Sequence, residues 1–145
     1  MRSPTARTLN YLRSQGAVAQ VCEKWIPVRG DWKRGKRVDF FGADVGVVQG
    51  RAFILIQSCS GSGHAAHVTK CRDNPQVAAF LATGNTFEVW SWSQRVAYGK
   101  KGKLKRKKWT PRVEQLILTR SGKVTTYNGP TLHPADETRP RHTLD

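Results

Sequence analysis

Acidic residues are scarce in this chain: ten Asp and Glu stand against 25 Lys and Arg, a net charge of +15 over 145 residues. Such an excess points to a polyanionic partner, with nucleic acid first among them. Long apolar stretches are missing as well. No run approaches the roughly 18 residues a membrane-spanning helix needs, so no membrane partner is expected. The first residues lack the apolar core of a signal peptide, and a cytoplasmic location is expected. Cysteine is sparse: Cys22, Cys59 and Cys71 are odd in number and form no C-x-x-C pair. That fits free thiols in a reducing compartment better than a disulfide framework. No G-x-x-x-x-G-K is followed by the Ser or Thr that a phosphate loop needs, and there is no G-x-G-x-x-G, so nucleotide-dependent chemistry has no support. No internal repeat is visible.

What is present suffices for one folded domain. Hydrophobic residues make up 38% of the chain, arranged in regular short segments that argue against disorder. The domain is expected over 1–127, with a loosely held, proline-bearing tail over 128–145. Ser3-Pro4 opens a helix expected over 4–15, with Gly16 closing it. Val18 to Trp25 reads as a strand, and 27–38 as a basic, glycine-punctuated loop that cannot be core. A second strand is expected from near Asp39 to Val48, a turn at Gln49-Gly50, and a third strand over 51–58. The A-F-I-L-I run of that third strand predicts burial on both faces, hence a central position. Helical pieces follow at 64–72 and 76–83. Strands are expected at 87–92, 109–118 and 123–127, with a basic excursion over 93–108. This order predicts an α/β fold with a mixed central sheet flanked by helices.

The chemistry concentrates at the hairpin from Asp39 to Cys59. Antiparallel pairing about Gln49-Gly50 places Asp44 beside Gln57, and the two-residue period of a strand turns Cys59 to the same face. Asp39 lies next to this end, and Glu23 can join it from the first strand. Carboxylates with a nearby oxygen donor suit a hard divalent cation, which can activate water and offset charge on a phosphate.

The spacing D-x₁₂-Q-x-C, on a hairpin after a helix and a strand, resembles the PD-(D/E)xK nuclease superfamily. Its motif is an Asp opening one strand and (D/E)-x-K on the next. The ordered series E-K-W, D-F-F-G-A-D, I-Q-S-C-S-G-S-G-H, V-W-S-W and W-x-x-R is similar to small phage and prophage proteins of that superfamily. The branch that includes archaeal-type Holliday junction resolvases matches in spacing and element order. The resemblance spans about 3–118. It implies a restriction-endonuclease-like αβββαβ core and a Mg²⁺- or Mn²⁺-dependent endonuclease hydrolysing phosphodiester bonds in DNA, branched structures included. Glu23, Asp39, Asp44, Gln57 and Lys70 are its implied catalytic residues, with Asp44, Gln57 and Glu23 on the metal. A homodimer is implied too. Two positions depart from the pattern: Gln57 stands for the second acid and Cys59 for the lysine. The missing cation then falls to Lys70 or Lys24. The departure leaves a second reading, a catalytically inactive relative that binds nucleic acid or serves inside a phage or nucleoprotein assembly.

A competing metal reading uses Cys59, His64, His67 and Cys71, in the order C-x₄-H-x₂-H-x₃-C. These are zinc-type ligands, although the spacing matches no usual finger or ribbon pattern.

The expected nucleic-acid contacts lie on two basic segments. One carries Trp32, Lys33, Arg34, Lys36 and Arg37. The other carries Arg95, Lys100, Lys101, Lys103, Lys105, Arg106, Lys107 and Lys108, followed by Trp109 and Arg112. Cations interleaved with aromatics suit phosphate contact combined with stacking on unpaired bases. Trp90, Trp92 and Tyr98 flank the second segment, and Trp90 is the one expected in the core.

Overall fold

The computed structural model describes residues 2–98, 102 and 104–127. The tail at 128–145 lies outside them, as do Lys100, Lys101 and Lys103 and the side chains of Tyr98 and Lys105.

Helix α1 (Pro4–Ser14) starts as its sequence dictates. The Ser3 hydroxyl accepts the Ala6 N–H, Pro4 takes the first turn, and Gly16 at φ 80° ends the helix. Strand β1 (Val18–Val21) follows, then β2 (Lys24–Val28), β3 (Asp31–Val38), β4 (Val45–Gln49) and β5 (Ala52–Ser60). A 3₁₀ turn at Gly61–Gly63 leads into α2 (His64–Arg72) and α3 (Pro75–Ala82). Strands β6 (Thr86–Tyr98), β7 (Leu104–Leu118) and β8 (Val124–Thr126) complete the described chain.

Six strands form one mixed sheet in the order β1-β4-β5-β6-β7-β8. All neighbours are antiparallel except β5 and β6, which run parallel because α2 and α3 carry the chain across between them. Helix α1 covers one face, packing Leu9 and Leu12 on Val45, Val47, Ile54, Ile56, Trp90 and Trp92. Helices α2 and α3 cover the other, with Val68, Val77, Phe80 and Leu81 on Leu55, Phe87, Val89 and Leu116. Ile54 to Cys59 of β5 is buried throughout, as expected of a central strand covered by helices on both sides.

Three expectations need correction. The strand expected over Val18–Trp25 breaks after Val21, and Lys24 onward pairs elsewhere. The expected loop over 27–38 is a β-hairpin: β2 and β3 form their own two-stranded sheet. Its turn holds Arg29 and Gly30 at φ 49° and 78°, the doubly left-handed geometry whose twist suits a two-residue hairpin. It is not core, in keeping with the sequence. Finally, the expected excursion over 93–108 continues β6 and β7 as a paired ribbon, with Arg95 opposite Lys108 and Val96 opposite Lys107. Backbone ladder bonds do not depend on side-chain charge, and a ribbon wet on both faces leaves its cations hydrated.

Register fixes where these ribbons point. Ser60 ends β5 opposite Trp92, so the β6–β7 extension projects beyond that end of the sheet. Val21 of β1 meets Val45, the first residue of β4, at the same end, and β2 begins just beyond it. Both basic ribbons therefore leave from one end of the sheet.

Candidate functional site

That end holds the acidic residues. The strand expected near Asp39 begins only at Val45, because 39–44 is a tight turn. Phe40 and Ala43 exchange both backbone hydrogen bonds, at 3.1 and 3.0 Å, with Phe41 and Gly42 at φ 51° and 81° between them. A hydrogen-bonded pair closing a two-residue loop makes the next pair outward, Asp39 and Asp44, face each other on one side. Gly42 meets two demands here. Its φ is left-handed, and a Cβ would come 3.0 Å from Asn74 Nδ2 and 3.2 Å from Val77 Cγ2 at the start of α3. Phe41 adopts a conformation a bulky side chain rarely takes, which stores strain at the turn.

Glu23 enters from the other side. The ladder of β1 runs one step past its end, with the Cys22 N–H donating to the Asp44 carbonyl at 2.8 Å. Glu23 is thereby held next to the turn. One carboxylate oxygen each from Glu23, Asp39 and Asp44 lie within 4.8 Å of one another. Among the described residues this is the one group of three or more His, Cys, Asp or Glu that could hold a metal ion.

Asp44 is the buried member, only 5% exposed. Its Oδ2 accepts the Ser58 N–H and the Gln57 Nε2–H, each at 2.9 Å. The expected juxtaposition of Asp44 and Gln57 is thus present, since β4 and β5 pair about Gln49 and Ala52. Gln57 presents its amide nitrogen to Asp44, while its Oε1 is buried with no hydrogen-bond partner. In this arrangement Gln57 holds the carboxylate; ligation through its oxygen requires the amide to turn over. Burial pushes the Asp44 carboxyl up to about 6. The Ser58 N–H bond opposes that shift, the Glu23 and Asp39 charges add to it, and Lys70 lowers it. A desolvated carboxylate beside two others is a negative site of the kind a divalent cation relieves.

Two cations brace the cluster. Lys70 Nζ lies 3.6 Å from Asp39 Oδ2, and Arg37 Nη1 lies 3.3 Å from Glu23 Oε1. Of the two lysines the sequence suggested, Lys70 is the one ion-paired to the cluster; Lys24 is an exposed residue of β2. Arg37, expected on nucleic acid, is exposed and paired with Glu23. His67, one turn before Lys70 on α2, is a neighbour that the sequence placed only in the zinc reading. Its Nδ1 is buried without a partner, and burial, then the Lys70 charge, lowers its pKa.

The zinc set is not assembled. Both ring nitrogens of His64 are taken, Nδ1 by the Ser91 hydroxyl at 2.7 Å and Nε2 by Glu114 Oε2 at 2.6 Å. Cys59 and Cys71 belong to the apolar core under α2 and α3. Burial pushes the Cys59 thiol up to about 11 and the Cys71 thiol up to about 12, away from the thiolate form zinc requires. Helix α2 must point His64 toward β6 and β7 to close the core, which takes it out of any set with Cys59 and Cys71.

Among the aromatics, Trp90 is fully buried as expected, and Trp92 joins it. The Trp92 indole N–H donates to the Thr8 hydroxyl at 2.9 Å, and the Ser58 hydroxyl donates to the same oxygen at 2.9 Å. Thr8 in turn donates to the Pro4 carbonyl at 3.1 Å. This buried hub ties α1 to the residue after Gln57, and Trp92 is unavailable for stacking on bases. Trp109 carries the Arg7 guanidinium 3.6 Å from its ring centroid. Lys33, Arg34, Lys36, Arg95, Arg106, Lys107, Lys108 and Arg112 are all exposed, as is Trp32. Comparison of the chain with protein-family models, with curated proteins and with solved structures finds no match.

Proposed function

We propose that this protein is a metal-dependent endonuclease of the PD-(D/E)xK type that hydrolyses phosphodiester bonds in DNA, branched DNA included. The observation that carries the reading is the convergence of Glu23, Asp39 and Asp44 within 4.8 Å, with Lys70 paired to Asp39 from the helix after the β4–β5 hairpin. Supporting it, with the separate β2–β3 arm set aside, α1, the antiparallel strands β1, β4 and β5, the crossover helices and the parallel strand β6 run in an order compatible with αβββαβ. No described helix is long and apolar enough to cross a membrane, and both basic ribbons leave from the acidic end of the sheet.

The residues fit Mg²⁺ or Mn²⁺: three hard oxygen donors close together, one desolvated. A cation bound there would acidify a water molecule and offset the charge of the phosphate under attack. Gln57 and the Ser58 N–H fix one oxygen of Asp44 and so aim the other. Glu23 and Asp39 supply the remaining charge from opposite sides. The Lys70 ammonium takes the place that Cys59, buried and uncharged, cannot fill, steadying negative charge on the phosphate. Exposed Lys and Arg on the ribbons hold neighbouring phosphates.

A second reading is favoured by the same two substitutions. With Gln57 neutral and Cys59 in the apolar core, a protein that binds nucleic acid without cutting it keeps every other feature. Incubation with linear, nicked and four-way-junction DNA, in Mg²⁺, Mn²⁺ or chelator, separates the two. Cleavage that needs the metal and is lost in Asp44→Ala supports the nuclease. Tight binding with intact DNA in both metals supports the inactive relative.

A further inference from the structure

The β2–β3 arm is the largest feature the acidic site does not explain. Its strands pair with each other and not with the main sheet, and side chains on both faces are exposed. A folded domain gains nothing from holding tryptophans in water, yet Trp32, next to the hairpin turn, is 72% exposed and Trp25 is 38% exposed. Trp25 packs against the backbone at Gly35 of the facing strand. A Cβ at Gly35 would come 2.7 Å from Trp25 Cε2, so only glycine lets the indole lie across the ribbon. Lys24, Arg29, Lys33, Arg34, Lys36 and Arg37 lie on the same arm, with Asp31 its one acid. The arm also grows out of the acidic site itself: Glu23 precedes β2 and Asp39 follows β3.

We infer that the β2–β3 arm recognises unpaired bases by stacking on Trp32 and Trp25, and so selects DNA with a single-stranded discontinuity near the phosphate offered to Glu23, Asp39 and Asp44. This rests on the DNA reading above and names the substrate class. A base in an intact duplex already has both faces stacked, and an indole gains little from it. A base at a gap, fork or branch has a free face, and stacking then adds to the phosphate contacts of the surrounding cations. The roots of the arm set the reach. Trp32 is seven residues from Asp39, at most roughly 23 Å at about 3.3 Å per residue, comparable to about seven stacked nucleotides.

Anisotropy titrations in chelator test this with two labelled DNAs of one sequence, a fully paired duplex and the same duplex with a short central gap. The wild type should prefer the gapped DNA by roughly tenfold or more, the scale of one or two stacked bases. Trp32→Ala and Trp25→Ala should each remove most of that preference while paired-duplex affinity stays within about twofold, and Trp32→Phe should keep it. Trp32 faces solvent, so its variants should melt like the wild type; Trp32→Gln serves as the second variant should the alanine protein melt lower. Equal binding of the two DNAs by the wild type, or a preference unchanged in both alanine variants, overturns the inference while leaving the nuclease reading standing. A wild type that binds neither DNA overturns the nucleic-acid reading itself. Because binding is read without metal, an inactive acidic site does not affect the outcome.

Discussion

Asp44→Asn replaces a buried carboxylate by a nearly isosteric amide whose oxygen can still accept the Ser58 and Gln57 hydrogen bonds. Burial raises the Asp44 carboxyl from its ordinary value of 3.8 to about 6 in the folded protein. Two units at about 1.4 kcal/mol each make the ionised form cost the fold about 3 kcal/mol. The sign follows from which state holds the proton. Between roughly pH 4 and pH 6 the unfolded chain has released it while the folded protein keeps it, so stability falls as pH rises through that window and stays lowered above it. Asp44→Asn removes this loss. Urea unfolding in chelator should show the variant about 2 to 3 kcal/mol more stable than the wild type at pH 8, with the two converging near pH 4. Mg²⁺ should close the gap: at a hundredfold excess over its dissociation constant it adds about 2.7 kcal/mol to the wild type and little to the variant. A gap between the proteins that stays constant from pH 4 to pH 8 would refute the burial argument. A wild type whose unfolding ignores Mg²⁺ and Mn²⁺ would refute the cation site.

Other outcomes follow from the same geometry. On the nuclease reading, Lys70→Met should lower metal-dependent cleavage by about 100-fold or more, since the ammonium assigned to the phosphate is lost, and its exposed position should leave the melting temperature nearly unchanged. Thr8→Val should destabilise the fold by about 2 to 4 kcal/mol in denaturant titrations, because Ser58 and Trp92 each lose a buried acceptor, whereas Thr8→Ser should recover most of it. Replacing Arg106, Lys107 and Lys108 together by Ala should flatten the dependence of DNA affinity on salt by about two to three units of slope, one for each phosphate contact removed. Unchanged slope would take β7 out of the interface.

Much of the framework was legible because it is set by neighbours in sequence. Ser3-Pro4 and Asn74-Pro75 announce α1 and α3 through their caps. The two-residue period of β5, run back from its turn, was enough to put Gln57 against Asp44, and alternation along β6 was enough to bury Trp90. The Phe41-Gly42 turn was hidden, since nothing local marks Phe41 for a left-handed conformation; packing of Gly42 against Asn74 and Val77 selects it. The basic segments read as loops because their charge masked strand pairing that only the facing strand reveals.

The sequence by itself determined an α/β domain with a strongly basic surface, a buried central strand and an acidic hairpin end, all consequences of composition and short-range periodicity. Only tertiary structure decided the site. It closed Asp39 onto Asp44 through a two-residue turn, brought Glu23 to them by ending β1 early, chose Lys70 over Lys24, turned the Gln57 amide nitrogen to the carboxylate and dispersed the zinc-type ligands. Those choices depend on distances between residues up to 50 positions apart, His64 to Glu114, which packing of helices on a sheet sets and no local pattern encodes.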